Sequence, residues 1–372
     1  MKYSLSDICS FRKTKVAVDT LSECNYISTE NMLPNKGGIV ESSSLPTALY
    51  TQEYRKGDIL VSNIRPYFKK IWQATFDGGC SNDVLVFVAN GNVDNDFLYY
   101  ALANDDFFKY AMSTSKGTKM PRGDKTLLMQ YEITQFDIDT QKKISSVLRS
   151  IDEKIKINKE INNNLEQQAQ AVYQQMFIDN SSPDWKKGML SDIADITMGQ
   201  SPSGSSYNED GIGTIFFQGR AEFGDRFPTV RLFTTEPKRM ACTNDTLMSV
   251  RAPVGDLNIA YTDCCIGRGL AAIHSKANFQ SFILYTMFFL QKQLDVFNGE
   301  GTVFGSINRK ALNEMPILIP ANEMLIEFEN IVAPMDTAIR NNYDEICHLE
   351  LIRDSLLPQL MSGELDVTEV IL

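Results

Sequence analysis

TQKKISSVLRSIDEKIKINKEINNNLEQQAQAVYQQMF, residues 140–177, is a 38-residue stretch with neither glycine nor proline. Polar residues of good helix propensity surround two series of mostly apolar residues, each with a seven-residue period, one beginning at Ile144 and the other four residues later at Leu148. This spacing is typical of a helix that pairs with another helix along an apolar seam. At a rise of ~1.5 Å per residue, the stretch predicts a helix roughly 57 Å long.

The same seam returns between Phe328 and Leu360, so a second long helix is predicted, and the two helices are expected to pair antiparallel as a coiled-coil spacer. Asn158 and Asn342 occupy equivalent positions and are expected to lie close together, where they would set the register. Pro334 predicts a kink or break, and Pro358 a bend in the last turn. The alternative is that each helix packs separately on its own domain. The predicted seam residues are Ile144, Leu148, Ile151, Ile155, Asn158, Leu165, Val172, Val332, Met335, Ile339, Asn342, Ile346, Leu349 and Leu356.

Other segments also repeat, in the same order and at a nearly constant offset along the chain. The matching pairs are residues 4–8 with 189–193, 57–62 with 244–249, 117–118 with 301–302, and 151–152 with 335–336. In each copy, short β-rich runs separated by Gly, Pro and Asn precede the long helix. The runs chosen as strands are residues 58–64, 84–88, 214–218 and 257–261. Four ordered matches predict an internal duplication.

The predicted fold class is therefore α+β, with two β-rich globular domains separated by an antiparallel pair of long α-helices in a pseudo-twofold internal repeat. The two β-rich domains are predicted at residues 1–137 and 184–320. The central spacer helix is predicted at residues 138–183 and the distal spacer helix at 321–365, followed by a C-terminal tail at 366–372.

The net charge of −11 is unlike the basic footprint of a DNA-binding protein. Most of this charge lies in residues 321–372, which hold 2 Lys/Arg against 11 Asp/Glu. Residues 1–137 hold 15 against 16, and residues 184–320 hold 13 against 14. The acidity therefore counts only weakly against nucleic-acid binding by the two β-rich domains.

The residue types needed for catalysis are scarce. There are two histidines and seven scattered cysteines, which makes a metal site or a disulfide framework unexpected. The chain has no Pro-Pro, which a methyltransferase acting on an adenine amino group would need, and no Gly-Lys-Ser/Thr phosphate loop. No apolar run is long enough for a membrane span, and the N-terminus has no hydrophobic signal core, so a cytoplasmic protein is expected.

Four motifs in the second copy and at the chain end carry a family resemblance: MGQSP at 198–202, NDTLMSVR at 244–251, PILIP at 316–320 and LLPQLMSGEL at 356–365. In this order, on two β-rich blocks each followed by a long helix, they resemble the specificity subunit of type I restriction–modification enzymes over nearly the whole chain. The first block departs from the pattern, because MPRGD follows its Gly-Thr and it lacks the Pro-x-x-x-Pro entry to the helix.

The resemblance implies that each β-rich block is a target-recognition domain for one half of a bipartite site in double-stranded DNA. The helix pair would be the spacer and the platform for two methyltransferase subunits, with restriction motor subunits joining that core. The chain itself would be non-catalytic and without cofactors, and S-adenosylmethionine, ATP and Mg²⁺ are expected on the partner subunits. Two alternatives stay open: a coiled-coil adaptor that binds no DNA, and a nuclease that uses Asp184, Glu236 and Lys238.

Arg, Lys, Asn and Gln side chains read base edges and cations bind phosphates, so clusters of these residue types are the candidate DNA contacts. In the first block the candidates are Asn63, Arg65, Tyr67, Lys69, Lys70, Lys116, Lys119, Arg122 and Lys125. In the second block they are Gln218, Arg220, Arg226, Arg251, Arg268, Asn308, Arg309 and Lys310. As clusters at matching places in both copies, they favour DNA contact.

Overall fold

A computed structural model describes residues 2–299 and 305–370. The chain divides into two compact units: unit 1 comprises Met1–Asn158 and Asp344–Leu372, and unit 2 comprises Lys159–Tyr343. The second copy of the Gly-Thr repeat, residues 301–302, lies outside the described residues. None of the described helices combines the length and apolar character that crossing a membrane requires.

The described part of unit 1 contains ten strands in three sheets. The strands are β1 Lys2–Ser4, β2 Cys9–Phe11, β3 Lys15–Ala17, β4 Tyr26–Ile27, β5 Tyr50–Tyr54, β6 Ile59–Ser62, β7 Ile71–Gln73, β8 Gly78–Cys80, β9 Val84–Ala89 and β10 Glu132–Thr134. Two four-stranded sheets have the orders β2-β9-β6-β7 and β3-β5-β8-β4, and β1 pairs with β10. These strands pair antiparallel except for β4 with β8.

The helices that begin in unit 1 are α1 Leu5–Ile8, α2 Asn95–Ala103, α3 Asp105–Ser113, α4 Lys125–Leu128 and α5 Ile138–Tyr173. One apolar core joins α2 and α3 to the first sheet and includes Phe87, Phe97 and Phe107. A second, smaller core lies at the other sheet, around Tyr54 and Cys80.

The described part of unit 2 contains eleven strands. They are β11 Lys186–Met189, β12 Ala194–Met198, β13 Tyr207–Asn208, β14 Thr214–Phe217, β15 Leu232–Thr234, β16 Met240–Ala241, β17 Thr246–Ser249, β18 Leu257–Ile259, β19 Cys264–Ile266, β20 Leu270–Ser275 and β21 Pro316–Ile319. One sheet has the order β12-β20-β17-β18, a second has the order β13-β15-β14-β19-β16, and β11 pairs with β21. Each of the four runs predicted as strands from the sequence overlaps a strand.

The helices that begin in unit 2 are α6 Leu190–Ile193, α7 Gln280–Leu294, α8 Arg309–Asn313 and α9 Asn322–Ser362. Helix α7 covers the first sheet of this unit with Ile283, Met287 and Leu290. The π-helical segment Gln174–Asp179 continues directly from α5. Helix α9 is unbroken at Pro334, so the expected break does not occur there.

The repeated sequence motifs form the same local structure in both units. The backbone N–H of Ser4 donates to Asp7 at 2.8 Å at the start of α1, and the N–H of Met189 donates to Asp192 at the same distance at the start of α6. A carboxylate at this position satisfies a backbone donor that the first turn of a helix leaves unpaired. The motif is therefore repeated because it caps a helix.

The second repeated motif forms a turn. Gly57 and Asn244 occupy equivalent positions, with φ of 92° and 72°, in the region that glycine and asparagine tolerate best. Each donates its N–H to an alanine carbonyl, Ala74 or Ala260, at 2.8 Å. The exchange of glycine for asparagine between the copies is thus explained by backbone conformation.

The long helices make polar and apolar contacts in each unit. In unit 1, Ile151 and Ile155 of α5 cluster with Ile346 of α9, and Asp152 pairs with Arg353 at 3.0 Å. Asn158 donates to Glu345 at 2.8 Å, which is a partner other than the asparagine predicted for it.

In unit 2, Asn342 of α9 donates to Asn162 of α5 at 2.8 Å, and Asn162 donates to the carbonyl of Ile339 at 3.2 Å. Farther along, Tyr173 and Phe177 pack in one apolar cluster with Phe328. The aromatic pair lies one position beyond the predicted seam at Val172 and Met176. A strict seven-residue repeat drifts relative to the 3.6-residue turn of a straight helix, which accounts for the shift.

Candidate nucleic-acid interface

In unit 1, the turn after β6 meets the loop that precedes α4. Ile64 and Arg122 form an isolated β-bridge, and the N–H of Arg65 donates to the carbonyl of Pro121 at 2.8 Å. Lys116 and Arg122 exchange backbone hydrogen bonds of 2.9 and 3.0 Å across the base of the loop. The two candidate groups of the first block, far apart in sequence, therefore form one surface.

Unit 2 has the same junction. Arg251 forms an isolated β-bridge with Ser306. Arg251 corresponds to Ile64 at the offset of the repeated turn motif, and Ser306 corresponds to Arg122 at the offset of the Gly-Thr repeat. The N–H of Ala252 donates to the carbonyl of Gly305 at 3.0 Å. Residues 305–306 of unit 2 thus contact the turn after β17 in the same way that residues 121–122 of unit 1 contact the turn after β6.

The residues that open α4 and α8 also correspond. Asp124 accepts from the N–H groups of Thr126 and Leu127, and Asn308 accepts from that of Ala311 at 2.9 Å. Asn308 is therefore the N-cap of α8, a structural role that sequence chemistry alone did not separate from base reading. Lys125 and Arg309, each the next residue, are exposed at the first helical position.

Two lysines of unit 1 hold the turn that carries the candidate residues. Lys69 and Lys36 bind the two oxygens of Asp105, at 2.6 and 3.1 Å. Burial by itself would raise the pKa of Asp105, but hydrogen bonds and Coulomb attraction from the two lysines lower it below the ordinary value. Lys70 donates to the carbonyl of Thr29 at 2.6 Å, and partial burial lowers the pKa of Lys70.

The loop before α4 carries three further candidate cations of unit 1, which are Lys116, Lys119 and Arg122. Lys116 forms an ion pair with Asp124 at 2.8 Å, and this hydrogen bond raises the pKa of Lys116. Arg122 pairs with Asp83 at 3.1 Å, while Lys119 is exposed. Exposed pairs of this kind contribute little to stability, so both cations can exchange a carboxylate for a phosphate at low cost.

In unit 2, glycines let three backbone segments approach closely. A Cβ on Gly199 would lie 2.1 Å from the carbonyl oxygen of Gly267, and one on Gly269 would lie 2.9 Å from that of Gln218. The N–H of Arg268 donates to the hydroxyl of Ser201 at 3.3 Å. This packing places the exposed residues Gln218 and Arg268 next to each other in the fold.

Two further candidate cations of unit 2, Arg251 and Arg220, lie close to the same packing. The N–H of Val250, the residue before Arg251, donates to the carbonyl of Gly269 at 2.9 Å. Arg220 forms an ion pair with Asp256. Lys310 is exposed and lies 3.9 Å from Glu314.

Arg226 is placed differently from the other candidates. Its side chain is only 9% exposed and binds both Glu166, at the 2.5 Å separation of a tight ion pair, and Asp336. Burial by itself would lower its pKa, but Coulomb attraction from Tyr285, Asp336 and Glu166 raises it. An arginine enclosed by two carboxylates is not available to DNA, so this candidate is corrected to a core ion pair.

The structure adds two candidates that the sequence did not suggest. Lys36 joins the unit 1 surface through a turn whose N–H groups pair with Phe68 and Lys69. Asn82 is exposed at the end of β8, the place that Arg268 takes after β19. Asn82 and Arg268 are separated by an offset within the range of the other repeats, which could have suggested Asn82.

The three residues of the nuclease alternative lie in two separate segments outside the strands. Asp184 precedes β11, while Glu236 and Lys238 are exposed beyond β15. Over residues 2–299 and 305–370, no group of three or more His, Cys, Asp or Glu side chains is arranged to hold a metal ion. The nuclease hypothesis therefore gains no support from the geometry.

Comparison with known proteins identifies the class. The family described as the type I restriction modification DNA specificity domain matches the chain twice, over residues 1–167 and 183–340. The matches span most of the chain, one for each copy of the repeat. The chain belongs to this family, whose members recognise DNA targets for type I restriction–modification enzymes and are not their catalytic components.

Individual relatives agree with this assignment. The putative MjaX type I restriction enzyme specificity subunit of Methanocaldococcus jannaschii is 29% identical over 343 residues, which are 84% of this chain and 79% of that protein. The MjaIX specificity subunit of the same organism is 25% identical over 316 residues, 76% of this chain and 72% of that one. The crystal structure of the S subunit from M. genitalium, 17% identical, aligns over 97% of this chain and 96% of that chain with a TM-score of 0.61, which shows a shared fold.

Proposed function

We propose that unit 1 and unit 2 each read one half of a bipartite target in double-stranded DNA, through the surfaces at the ends of β6 and β17. One observation carries this proposal: both units return a loop to the same strand end, by the bridges Ile64–Arg122 and Arg251–Ser306, yet present different side chains there. Two units with the same backbone arrangement but different side chains at this surface are suited to two half-sites of different sequence.

We further propose that α5 and α9 form an antiparallel coiled-coil spacer in a pseudo-twofold repeat. Contacts within each unit support it. In unit 1, Asp152 of α5 pairs with Arg353 of α9, and Asn158 of α5 donates to Glu345 of α9. Residue numbers rise along α5 while those of the partners fall along α9, as an antiparallel pair requires. Successive half-sites about one helical turn of DNA apart, roughly 34–36 Å, lie within the span of a helix of this length.

The proposed complex supplies the chemistry that this chain lacks. Two methyltransferase subunits dock on the helix pair and restriction motor subunits join them, so that S-adenosylmethionine, ATP and Mg²⁺ bind to the partners. The assembly acts on DNA in the cytoplasm. With near-neutral recognition domains and an acidic distal segment, tight DNA binding by this chain depends on its partners.

A domain exchange tests the proposal. Residues 1–137 are replaced by the corresponding block of another specificity subunit, and the chimaera is co-expressed with the methyltransferase partner. Mapping of methylated adenines should show one half-site changed and the other retained. An unchanged methylated sequence would contradict half-site reading, and the lack of any sequence-selective DNA retention would favour the coiled-coil adaptor.

The spacer has its own test. One heptad inserted into α5 alone should uncouple the two helices and abolish methylation, because the seams no longer match. Matched heptads in α5 and α9 should restore methylation at half-sites that lie farther apart. Equal activity of the single and matched insertions would exclude the paired spacer.

A further inference from the structure

Unit 1 exposes two adjacent aromatic rings at the turn after β6. Tyr67 is 49% exposed and Phe68 is 38% exposed, and their ring centroids are 4.7 Å apart. Neither ring belongs to the apolar cores of the unit. Exposed rings next to each other form an apolar contact area that the fold of unit 1 itself does not use.

The turn that carries these rings is braced. Arg65 and Lys69, on either side of it, have φ of 49° and 50°, and Asn35 and Lys36 of the neighbouring turn have φ of 54° and 62°. The N–H groups of Asn35 and Lys36 donate to the carbonyls of Phe68 and Lys69 at 2.8 and 2.9 Å. Left-handed backbone at non-glycine residues is strained, and such strain collects at functional sites.

Side chains also hold the turn in place. The ion pairs of Lys36 and Lys69 with Asp105 fix both turns to the start of α3. The ammonium of Lys70 lies 5.8 Å from the ring centroid of Phe68 while it donates to the carbonyl of Thr29. The rings are therefore presented in one orientation before any partner binds, which lowers the ordering cost of binding.

The charge around the rings indicates the partner. Arg65, Lys69 and Lys70 flank them in sequence, and Lys116 and Arg122 come from the adjoining loop. Apolar rings with cations on the same turn and on the adjoining loop match a nucleic acid, whose bases stack on aromatic side chains while its phosphates bind Lys and Arg. An apolar protein partner would not require cations on the turn and on the adjoining loop.

The equivalent turn of unit 2 has no such pair of rings. It reads APVGD at residues 252–256, and its apolar residue Val254 is buried. Proteins that bend DNA insert Phe, Leu, Ile, Met or Pro side chains at a base step and partly unstack it. An exposed aromatic pair at this turn in only one unit thus predicts that the two half-sites are deformed to different extents.

We infer that Tyr67 and Phe68 form a wedge that inserts at one base step of the half-site read by unit 1, whereas unit 2 leaves its half-site stacked at the equivalent step. This inference rests on the proposed DNA-reading function. It also implies that part of the sequence specificity of unit 1 comes from how easily its DNA half-site is deformed. Pyrimidine–purine steps unstack most easily, so the half-site of unit 1 contains such a step at the wedge.

The test uses the full chain in complex with its methyltransferase partner and a duplex of the mapped target. The fluorescent adenine analogue 2-aminopurine replaces each purine in turn, and its emission rises where a base is unstacked. The wild-type complex should give one enhanced position in the unit 1 half-site beyond the methylated adenines. Tyr67→Ala/Phe68→Ala should remove that enhancement and weaken target binding by about 5- to 100-fold.

Matched variants separate the wedge from general effects. Tyr50→Ala removes a 62% exposed ring elsewhere in unit 1 and should leave the enhancement unchanged. Tyr67→Phe/Phe68→Leu keeps apolar bulk and should restore it. Enhancement at the same step in the double alanine variant would overturn the wedge while leaving half-site reading intact. Loss of methyltransferase binding without change in the DNA signal would overturn it in favour of a protein contact, and failure of the wild type to bind the target selectively would overturn both proposals.

Discussion

The two units share one sheet and diverge in the other. The orders β2-β9-β6-β7 and β12-β20-β17-β18 are the same, and both second sheets contain one parallel pair, β4 with β8 and β14 with β19. Outside that pair, β3 extends the sheet through β5 in unit 1, whereas β15 and β13 extend it through β14 in unit 2. The shared sheet packs against helices in both units and includes β6 and β17, whose ends carry the candidate surfaces.

A buried aspartate in each unit likewise combines a conserved backbone contact with a side-chain partner that differs between the units. Asp58 and Asp245 accept backbone N–H groups, from Arg55 and Cys242, at 2.8 Å. Their remaining partners differ. Asp58 binds the guanidinium of Arg12, and this hydrogen bond raises the pKa of Arg12, whereas Asp245 lies 2.6 Å from His274. The backbone role is kept, and the side-chain partner is free to change.

The largest difference expected between the units concerns Arg226, which has two carboxylate partners in unit 2. Arg226→Ala leaves Glu166 and Asp336 without their cation and should lower the free energy of unfolding by about 3–5 kcal/mol. The chain has two tryptophans, Trp72 in unit 1 and Trp185 in unit 2, so denaturant unfolding in a Trp72→Phe background reports on unit 2.

The exposed Arg239 provides the control, since Arg239→Ala should change the free energy of unfolding by less than about 0.5 kcal/mol. Equal stabilities of the two variants would show that Arg226 does not hold unit 2 together. A folded Arg226→Ala variant with weakened DNA binding would restore it as a DNA contact.

Base reading should fail in one half-site at a time. Arg268→Ala should relax specificity in the half-site of unit 2 by about 1–3 kcal/mol per base pair contacted, because an arginine pairs with guanine through two hydrogen bonds. Methylation profiling over a library of single-base variants measures it. If specificity relaxed equally in both half-sites, or if the loss of methylation did not depend on base identity, Arg268 would be assigned to phosphate binding.

The stabilisation of unit 1 by the ion pairs of Lys36 and Lys69 with Asp105 should depend on pH. Asp105 is 47% exposed, so Asp105→Asn should cost on the order of 1 kcal/mol at pH 7. The pKa of Asp105 is lowered in the folded state, so its contribution is complete above the ordinary pKa of 3.8 and is lost as pH falls through the lower folded value. In unfolding experiments followed by Trp72, the free energies of unfolding of the variant and the wild type should converge at acid pH. A difference that stays constant with pH would show that the ion pairs with Asp105 do not stabilise unit 1.

The smallest effect is expected at the repeated turn. Gly57→Ala places a side chain at φ 92° and should cost about 1 kcal/mol. Gly57→Asn copies the residue of unit 2 and should cost less, since asparagine tolerates this conformation better. Thermal unfolding of the pair of variants measures the difference, and the opposite ranking would mean that the side chain of Asn95, next to the added Cβ, decides the outcome.

Much of the frame could be predicted because it depends on local patterns. The glycine-free run at residues 140–177 corresponds to α5 at Ile138–Tyr173 and the π-helical segment after it. The repeated LSDI motifs are helix starts, and the predicted β-rich runs overlap strands. Period and capping chemistry are properties of neighbouring residues, so they can be read without the fold.

The composition of the DNA surface could be predicted only in part. The sequence predicts Arg65 and Arg122 as separate candidates, and the structure joins them. It does not predict Lys36, because the turn of Lys36 reaches Lys69 only through tertiary hydrogen bonds. The charge of Arg226 predicts a DNA contact, whereas its burial depends on carboxylates 60 and 110 residues away. Charge type is visible in sequence, but exposure is not.

By itself the sequence determined that the protein is a duplication: two β-rich copies, two long helices and no catalytic set. These features follow from repeats and periodicities that act over a few residues. Only the tertiary structure decided which cations line a surface, which are enclosed, and that one copy alone displays an aromatic pair at the shared turn. Burial and strain arise when distant segments meet, and no local pattern encodes that meeting.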